Sequence, residues 1–138
     1  KWNDINQVVC KKIIGILLVQ EAHLNEERCE KVEHLFHKTL QIYRSENLQN
    51  PTGKGSVAIV LNRQLTNVNG VKITEIITGC AIHIQTNWHR EEEINVLGVY
   101  APNDSAENTE FWKEIEDYFV QHPNTPKPDL MGGDFNMV

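Results

Sequence analysis

Hydrophobic positions along the chain alternate between two patterns, spaced stripes and short unbroken runs. Apolar residues three or four positions apart indicate one buried face of a helix, whereas a short run of branched residues indicates a strand buried on both faces. The stripe within residues 2–9 predicts a short helix that Asn3 or Asp4 caps, and Ile13–Val19 predicts a buried strand. Asn25 caps a second predicted helix, whose inner stripe comprises Cys29, Val32, Leu35, Phe36 and Leu40.

The middle of the chain has the pattern of a sheet interrupted by turns. Residues 49–54 carry an Asn-Pro-Thr-Gly turn signal, Asn67–Gly70 has the sequence of a hairpin tip, and Gly79 marks a bend or bulge. Residues 90–93 are predicted to form a charged loop. The predicted strands are Leu40–Arg44, Ser56–Leu61, Lys72–Ile77 and Ala81–Thr86.

The last third returns to alternating strands and helices. Ile94–Val99 and Leu130–Gly132 are predicted strands, and Ser105 caps a predicted helix between them. Several prolines between residues 123 and 128 end that helix. Because strands and helices alternate over one core, the fold class is predicted to be α/β. The buried face of this helix comprises Phe111, Trp112, Ile115, Tyr118 and Phe119.

Composition and charge narrow the class of protein. The 138 residues, 40% of them apolar, suffice for one domain core, and the longest apolar run is too short for a membrane span. The net charge of −6 divides unevenly, because residues 1–63 sum to +2 and residues 64–138 sum to −8. This balance argues against a basic face that grips nucleic acid by neutralising its phosphates.

Cysteine usage and the chain ends bear on compartment and completeness. Cys10, Cys29 and Cys80 are odd in number and lack CxxC spacing, which favours a reducing compartment over a disulfide framework or a structural zinc site. Polar residues follow the first apolar run where a signal peptide would need small ones, so secretion is not predicted. A start at Lys1 and an end at Val138, straight after a predicted strand, indicate a fragment.

Polar residues follow three of the predicted strands. Glu21, Tyr100 and the pair Asp134 and Asn136 stand at the C-terminal ends of these strands. Open α/β sheets bind their ligands at such ends, so neighbouring strands would bring the four side chains to one rim. Their oxygens are the donors that hard cations such as Mg²⁺ select. On spacing alone, an acidic residue at a strand end is more often a satisfied turn or cap than a metal ligand.

Four segments together resemble the endonuclease/exonuclease/phosphatase superfamily, which includes the apurinic endonucleases, the deoxyribonuclease I type enzymes and the endonucleases of LINE-type retrotransposons. They occur in the family order, and the first, with its Gln-Glu-x-His-Leu form, is most similar to the retroelement branch. The resemblance implies a partial four-layer α/β sandwich, in which two mainly antiparallel or mixed sheets lie face to face between helices. The segments are Leu18–Leu24 (LVQEAHL), Gly53–Val60 (GKGSVAIV), Gly98–Asn103 (GVYAPN) and Met131–Asn136 (MGGDFN).

The resemblance implies a role for each matched position. Glu21 matches the glutamate that holds the divalent metal, and Asp134 matches the aspartate that orients and deprotonates the attacking water. Asn136 matches an asparagine that helps hold the phosphate, and Tyr100 matches a tyrosine that contacts phosphate in the apurinic-type members. The implied cofactor is Mg²⁺, for which Mn²⁺ can substitute. These roles suit phosphodiester hydrolysis, which needs a metal to take up negative charge and a base for water.

The chain also departs from the family pattern. The family's first-strand asparagine would precede Lys1, its late aspartate and Ser-Asp-His motif have no counterpart, and Ala22 stands where retroelement members more often have Thr. Residues 1–138 therefore correspond to an incomplete domain that lacks the first strand and the C-terminal part. The histidines outside any Ser-Asp-His context are His23, His34, His37, His83, His89 and His122.

The function that the resemblance implies is Mg²⁺-dependent phosphodiester hydrolysis, in the form of DNA nicking by a retroelement endonuclease. The implied partners are a DNA substrate and a reverse transcriptase region in the full-length product, without a membrane partner. The implied location is inside the cell, in the nucleus. Two alternatives stay open: a phosphatase of the same superfamily that acts on a phosphoinositide or another phosphoester, and a catalytically inactive, truncated relic.

Overall fold

The computed structural model describes residues 1–46, 56–89 and 91–137, which contain three helices and seven strands. None of the helices in these ranges combines the length and the apolarity that crossing a membrane requires. The helices are α1 (Trp2–Lys11), α2 (Glu26–Leu35) and α3 (Ser105–Gln121). The strands are β1 (Ile16–Gln20), β2 (Leu40–Ser45), β3 (Val57–Asn62), β4 (Lys72–Ile77), β5 (Ala81–His89), β6 (Glu92–Tyr100) and β7 (Leu130–Asp134).

The strands form two sheets that differ in their pairing. The first sheet has the order β1-β3-β2 with antiparallel pairs, so that Leu18 lies opposite Ile59. The second has the order β4-β5-β6-β7, in which the first two pairs are antiparallel. Strands β6 and β7 run parallel, with Tyr100 opposite Asp134, and α3 provides the crossover that a parallel pair needs.

Side chains that alternate along β3 join two hydrophobic cores. Ala58 and Val60 pack in a core with residues of α1 and α2, whereas Val57, Ile59 and Leu61 pack in a core that contains residues of both sheets. A further core combines the second sheet with the aromatic face of α3. The layers therefore run helix, sheet, sheet, helix, which confirms the predicted α/β sandwich.

Two helices begin elsewhere than predicted. Asn3 and Asp4 lie inside α1, because the helix already begins at Trp2, which packs against the first core. The cap of α3 is Asp104 and not Ser105: the Asp104 side chain accepts a hydrogen bond from the backbone N–H of Glu107 at 3.0 Å. The cap predicted at Asn25 is confirmed, since its side chain accepts from the backbone N–H of Arg28.

The strands and loops also differ from the prediction at a few positions. Ile13 belongs to an exposed turn with a left-handed φ of 53°, so β1 begins only at Ile16. Asn67–Gly70 is not a hairpin tip, because it connects β3 to β4 in the other sheet. Strand β6 begins at Glu92, within the predicted charged loop. The turn predicted at 49–54 and residue 90 of that loop lie outside the described residues.

Glycines on β6 and β7 allow close contact with Leu18 of β1 and between the backbones of β6 and β7. A Cβ atom on Gly132 would lie 2.5 Å from Cδ1 of Leu18, and one on Gly98 would lie 3.5 Å from Cδ2 of the same side chain. Gly133 has a φ of +133°, and a Cβ atom there would lie 2.0 Å from the carbonyl oxygen of Val99. Since that oxygen belongs to the backbone of β6, no side-chain rearrangement can relieve the clash.

His83 is a buried histidine of β5. Its ring makes an edge contact with Phe119 of α3 at a centroid distance of 5.8 Å, and its Nε2 has no hydrogen-bond partner among the described residues. Burial lowers the pKa of His83 below its usual value, although a backbone hydrogen bond to Pro126 and the charge of Asp129 oppose the shift. The folded protein therefore holds this ring neutral.

We expect the substitution Gly133→Ala to lower the free energy of unfolding by about 3 kcal/mol, because it adds a backbone clash to an unfavourable φ. Urea unfolding measures the change. Gly70→Ala is the matched control, because Gly70 also has a positive φ but open space around its Cβ position. It should cost about 1 kcal/mol. Equal losses for the two variants would contradict the clash.

We expect the free energy of unfolding to fall as the pH drops below about 6.5, where the unfolded state protonates His83 and the folded state resists it. His83→Gln should reduce this pH dependence, since glutamine does not titrate. His34→Gln is the control, because His34 is exposed on α2. Urea unfolding from pH 7.5 to 5.0 measures all three proteins, and identical slopes for His83→Gln and the unsubstituted chain would contradict the expectation.

Candidate active site

The two sheets meet in a hydrogen bond between side chains that are distant in sequence. Glu21 follows β1 of the first sheet, and Tyr100 ends β6 of the second. The Tyr100 hydroxyl donates to Oε1 of Glu21 at 2.9 Å. Both residues are half-buried, so their contact lies at a rim that solvent reaches.

The backbone that carries Glu21 is held in an unusual conformation. Glu21 and His23 have left-handed φ values of 49° and 52°, which non-glycine residues seldom adopt. The backbone N–H of His23 donates to Oγ of the buried Ser56 at 3.0 Å, and the Arg28 side chain donates to the His23 carbonyl at 3.2 Å. These bonds to the residue before β3 and from α2 fix the loop, because strained residues persist only where their surroundings determine them.

The loop after β7 is joined to the end of β6 by a compact set of hydrogen bonds. The backbone N–H of Ala101 donates to the Asp134 carbonyl at 2.8 Å, and Nδ2 of Asn136 donates to the Ala101 carbonyl at 2.6 Å. The backbone N–H of Asn136 donates to Oδ1 of Asp134 at 3.0 Å. Together these bonds hold the Asp134 carboxylate and the Asn136 amide beside Tyr100.

The groups at the rim change the pKa of the Tyr100 hydroxyl. The hydrogen bond to Glu21 raises the pKa of Tyr100, and burial and the negative charges of Glu21 and Asp134 raise that pKa further. The phenol therefore stays protonated at neutral pH and acts as a hydrogen-bond donor. Asp134 is paired with Tyr100 in the parallel register, so the two side chains lie on the same face of the sheet.

The donors at this rim fit one hard divalent cation. Magnesium is usually bound by one or two carboxylates, with water and substrate phosphate in the other positions. Glu21 and Asp134 are two carboxylates at this rim, and Glu21 already orients one oxygen through Tyr100. Across residues 1–46, 56–89 and 91–137, no group of three or more His, Cys, Asp and Glu side chains could hold a metal. A cation held here would therefore take most of its ligands from water or substrate.

The structure brings together the four side chains that the sequence singles out. They do not share one sheet, however, because Glu21 follows a strand of the facing sheet while Tyr100 and Asp134 belong to the paired strands β6 and β7. Sequence reasoning missed Ser56 as the support of the Glu21 loop. The signal was its place as the first residue of the predicted strand Ser56–Leu61, where a buried hydroxyl can bond to a neighbouring backbone.

Comparisons with known proteins find this fold among solved structures. No family model and no curated protein matches the chain. The endonuclease domain of TRAS1, a telomere-specific non-LTR retrotransposon, aligns with a TM-score of 0.59 and 16% identity over 94% of this chain and 50% of that one. A truncated TDP2 from Caenorhabditis elegans aligns with a TM-score of 0.61 and 13% identity over 99% of this chain and 55% of that one.

A third solved structure carries the name of the superfamily itself. An endonuclease/exonuclease/phosphatase family protein from Leptotrichia buccalis C-1013-b aligns with a TM-score of 0.57 and 13% identity over 99% of this chain and 60% of that one. The chain thus spans between 50% and 60% of the length of these three structures. At such identities the likeness shows the fold, and the chain has the endonuclease/exonuclease/phosphatase fold that its motifs imply.

We expect Glu21→Gln to lower the pKa of Tyr100 toward the ordinary value of about 10, because the substitution removes the charged acceptor of its hydroxyl. Alkaline titration followed by the ring ¹³Cζ NMR shift measures this pKa. Tyr43 gives an internal control, since burial and not Glu21 raises its pKa. An unchanged Tyr100 titration in Glu21→Gln would show that the two side chains do not interact in solution.

Proposed function

We propose that this chain, which has the endonuclease/exonuclease/phosphatase fold, belongs to that superfamily and hydrolyses phosphodiester bonds in DNA with Mg²⁺. The observation that carries the proposal is the hydrogen bond between Glu21 and Tyr100 across the two sheets, beside Asp134. One rim thus carries the Glu21 carboxylate, which suits a cation, and the Tyr100 hydroxyl, which suits a phosphate oxygen. The Asp134 carboxylate on the paired strand suits a water molecule.

Asp134 is the general base in this proposal. Its Oδ1 accepts from the backbone N–H of Asn136, so the carboxylate keeps one orientation while it stays exposed to water. The water oxygen attacks phosphorus, the bond from phosphorus to the leaving oxygen breaks, and the water proton passes to Asp134. The leaving oxygen takes a proton from solvent. A positioned base of this kind contributes about 100-fold or more to a rate.

Glu21 would hold Mg²⁺, which supplies positive charge for the phosphoryl and leaving oxygens when it is bound. The Tyr100 hydroxyl has a single proton, which it donates to Glu21. Once the Glu21 carboxylate is engaged elsewhere, that proton is free for a phosphate oxygen. Asn136 uses one of its two N–H donors on Ala101, and we assign the other to the phosphate.

DNA and a retroelement context are supported by two features. The endonuclease domain of a telomere-specific retrotransposon has a similar fold, and the Gln-Glu-x-His-Leu form of Leu18–Leu24 is most similar to that branch. In that context the protein would act in the nucleus, with a reverse transcriptase region in the same product. Because residues 64–138 carry a charge of −8 and provide no basic face, we assign the phosphate contacts to the rim.

We expect the complete product of the reading frame that encodes this chain to nick supercoiled plasmid with Mg²⁺ and not with EDTA. Asp134→Asn should lower the nicking rate by about 100-fold or more, because asparagine cannot accept the water proton. Conversion of supercoiled to open-circular DNA on agarose gels measures the rate. Asp117→Asn is the matched control, since Asp117 is an exposed carboxylate on α3, and it should leave the rate unchanged.

The same protein is tested on a phosphoinositide and on a simple phosphate monoester. Hydrolysis of either without nicking of DNA would replace the endonuclease by the phosphatase alternative. A folded protein without Mg²⁺-dependent activity on any of these substrates would overturn the proposal and favour the inactive relic. Nicking that continues in EDTA, or equally in Asp134→Asn, would reject the roles assigned to the metal and to Asp134.

A further inference from the structure

Asn108 is the fourth residue of α3 and lies outside every motif of the resemblance. Its side chain bridges the two loops of the candidate site. Its Nδ2 donates to the Pro102 carbonyl in the loop after β6 at 3.0 Å. The same nitrogen donates to the Phe135 carbonyl in the loop after β7 at 2.9 Å. One amide group thus uses both of its N–H donors to join the two strand ends.

The orientation of this amide is fixed from its other side. Nε1 of Trp112 donates to Oδ1 of Asn108 at 3.0 Å, one helical turn along α3. The Trp112 ring also makes an edge contact with Phe135 at a centroid distance of 5.5 Å. Trp112, Asn108 and Phe135 therefore form a closed triangle in which each member contacts the other two.

The triangle bears on the two residues that flank Phe135. Asn136 has a left-handed φ of 47°, a conformation that needs support from its surroundings. Asp134 precedes Phe135 and is paired with Tyr100 in the parallel register. A clamp on the Phe135 carbonyl therefore restrains the peptide between the proposed base and the proposed phosphate contact, although Asn108 itself touches neither side chain in the described contacts.

We propose that Asn108 is a positioning residue, which clamps the loops after β6 and β7 through Pro102 and Phe135 and so holds Asp134 and Asn136 in their working arrangement. The effect on catalysis rests on the function proposed above, whereas the clamp itself does not. Small misplacements of reacting groups cost large factors in rate, so a residue of this kind acts on turnover more than on substrate binding.

The clamp is tested first without any substrate, by amide hydrogen exchange on the chain. Asn108→Asp keeps the size of the side chain and its acceptor for Trp112 but removes both donors. We expect the backbone amide of Ala101, which donates to Asp134, to exchange at least tenfold faster. The amide of Ile59 in the centre of the first sheet should change by less than twofold. Unchanged exchange at Ala101 would overturn the proposal whatever the activity.

Turnover is then measured on the complete product of the reading frame. Asn108→Asp should lower kcat for nicking at least tenfold while KM stays within threefold. Thr109→Ala is the matched control, since Thr109 is the exposed neighbour whose hydroxyl bonds only to the Ser105 carbonyl in the described contacts, and it should change neither constant. Faster exchange with an unchanged kcat would overturn the positioning role, and an inactive unsubstituted protein would overturn only the proposed function.

A second variant covers the case in which Asn108→Asp does not fold. Trp112→Phe removes the donor that orients the Asn108 amide while an aromatic ring still packs against Phe135. We expect the exchange of the Ala101 amide to rise at least threefold, with Ile59 unaffected. If Trp112→Phe folds and leaves the exchange at Ala101 unchanged, the clamp is rejected.

Discussion

The close approach of β1 to the second sheet, over Gly98 and Gly132, is the constraint on which the rest of the structure depends. Leu18 lies against both positions, and a Cβ atom on Gly132 would come within 2.5 Å of its Cδ1 atom. Because Glu21 follows Leu18 on the same strand end, the separation of the sheets decides whether its carboxylate meets Tyr100. A Cβ atom at Gly132 would displace the end of the Leu18 side chain, whereas one at Gly98 would make ordinary van der Waals contact with Leu18 and Ile59.

The site combines this close packing with a negatively charged surface, which is unfavourable for binding a polyanion. The outer face of α3 carries exposed carboxylates, and Asp134 and Glu21 add two more at the rim. Such a surface repels a polyanion except where a cation offsets the charge locally. In the proposed function, a metal held by Glu21 would offset this negative charge at the rim, where phosphate would bind.

The sequence predicted the architecture because the spacing and length of its apolar runs reflect which face of each helix or strand is buried. This pattern can be read within each element. Lys72–Ile77 matches β4 at both ends, and the aromatic face of α3 packs as its spacing indicates. Predictions failed where the deciding contact is tertiary. The pattern of Asn67–Gly70 is that of a hairpin, but the next strand joins the other sheet. Asn108 is an unremarkable helix residue until its loop partners are known.

The hydrogen bond between Glu21 and Tyr100 spans 79 positions of the chain. This separation determines at which stage of folding the site can form. The three described strands of the first sheet all precede residue 63, whereas Asp134 belongs to β7. Contacts of such long range form late, because the intervening chain must be ordered first. On the ribosome, the strands of the first sheet would thus emerge well before the contact between Glu21 and Tyr100 can form. The rim is therefore one of the last parts of these residues to assemble.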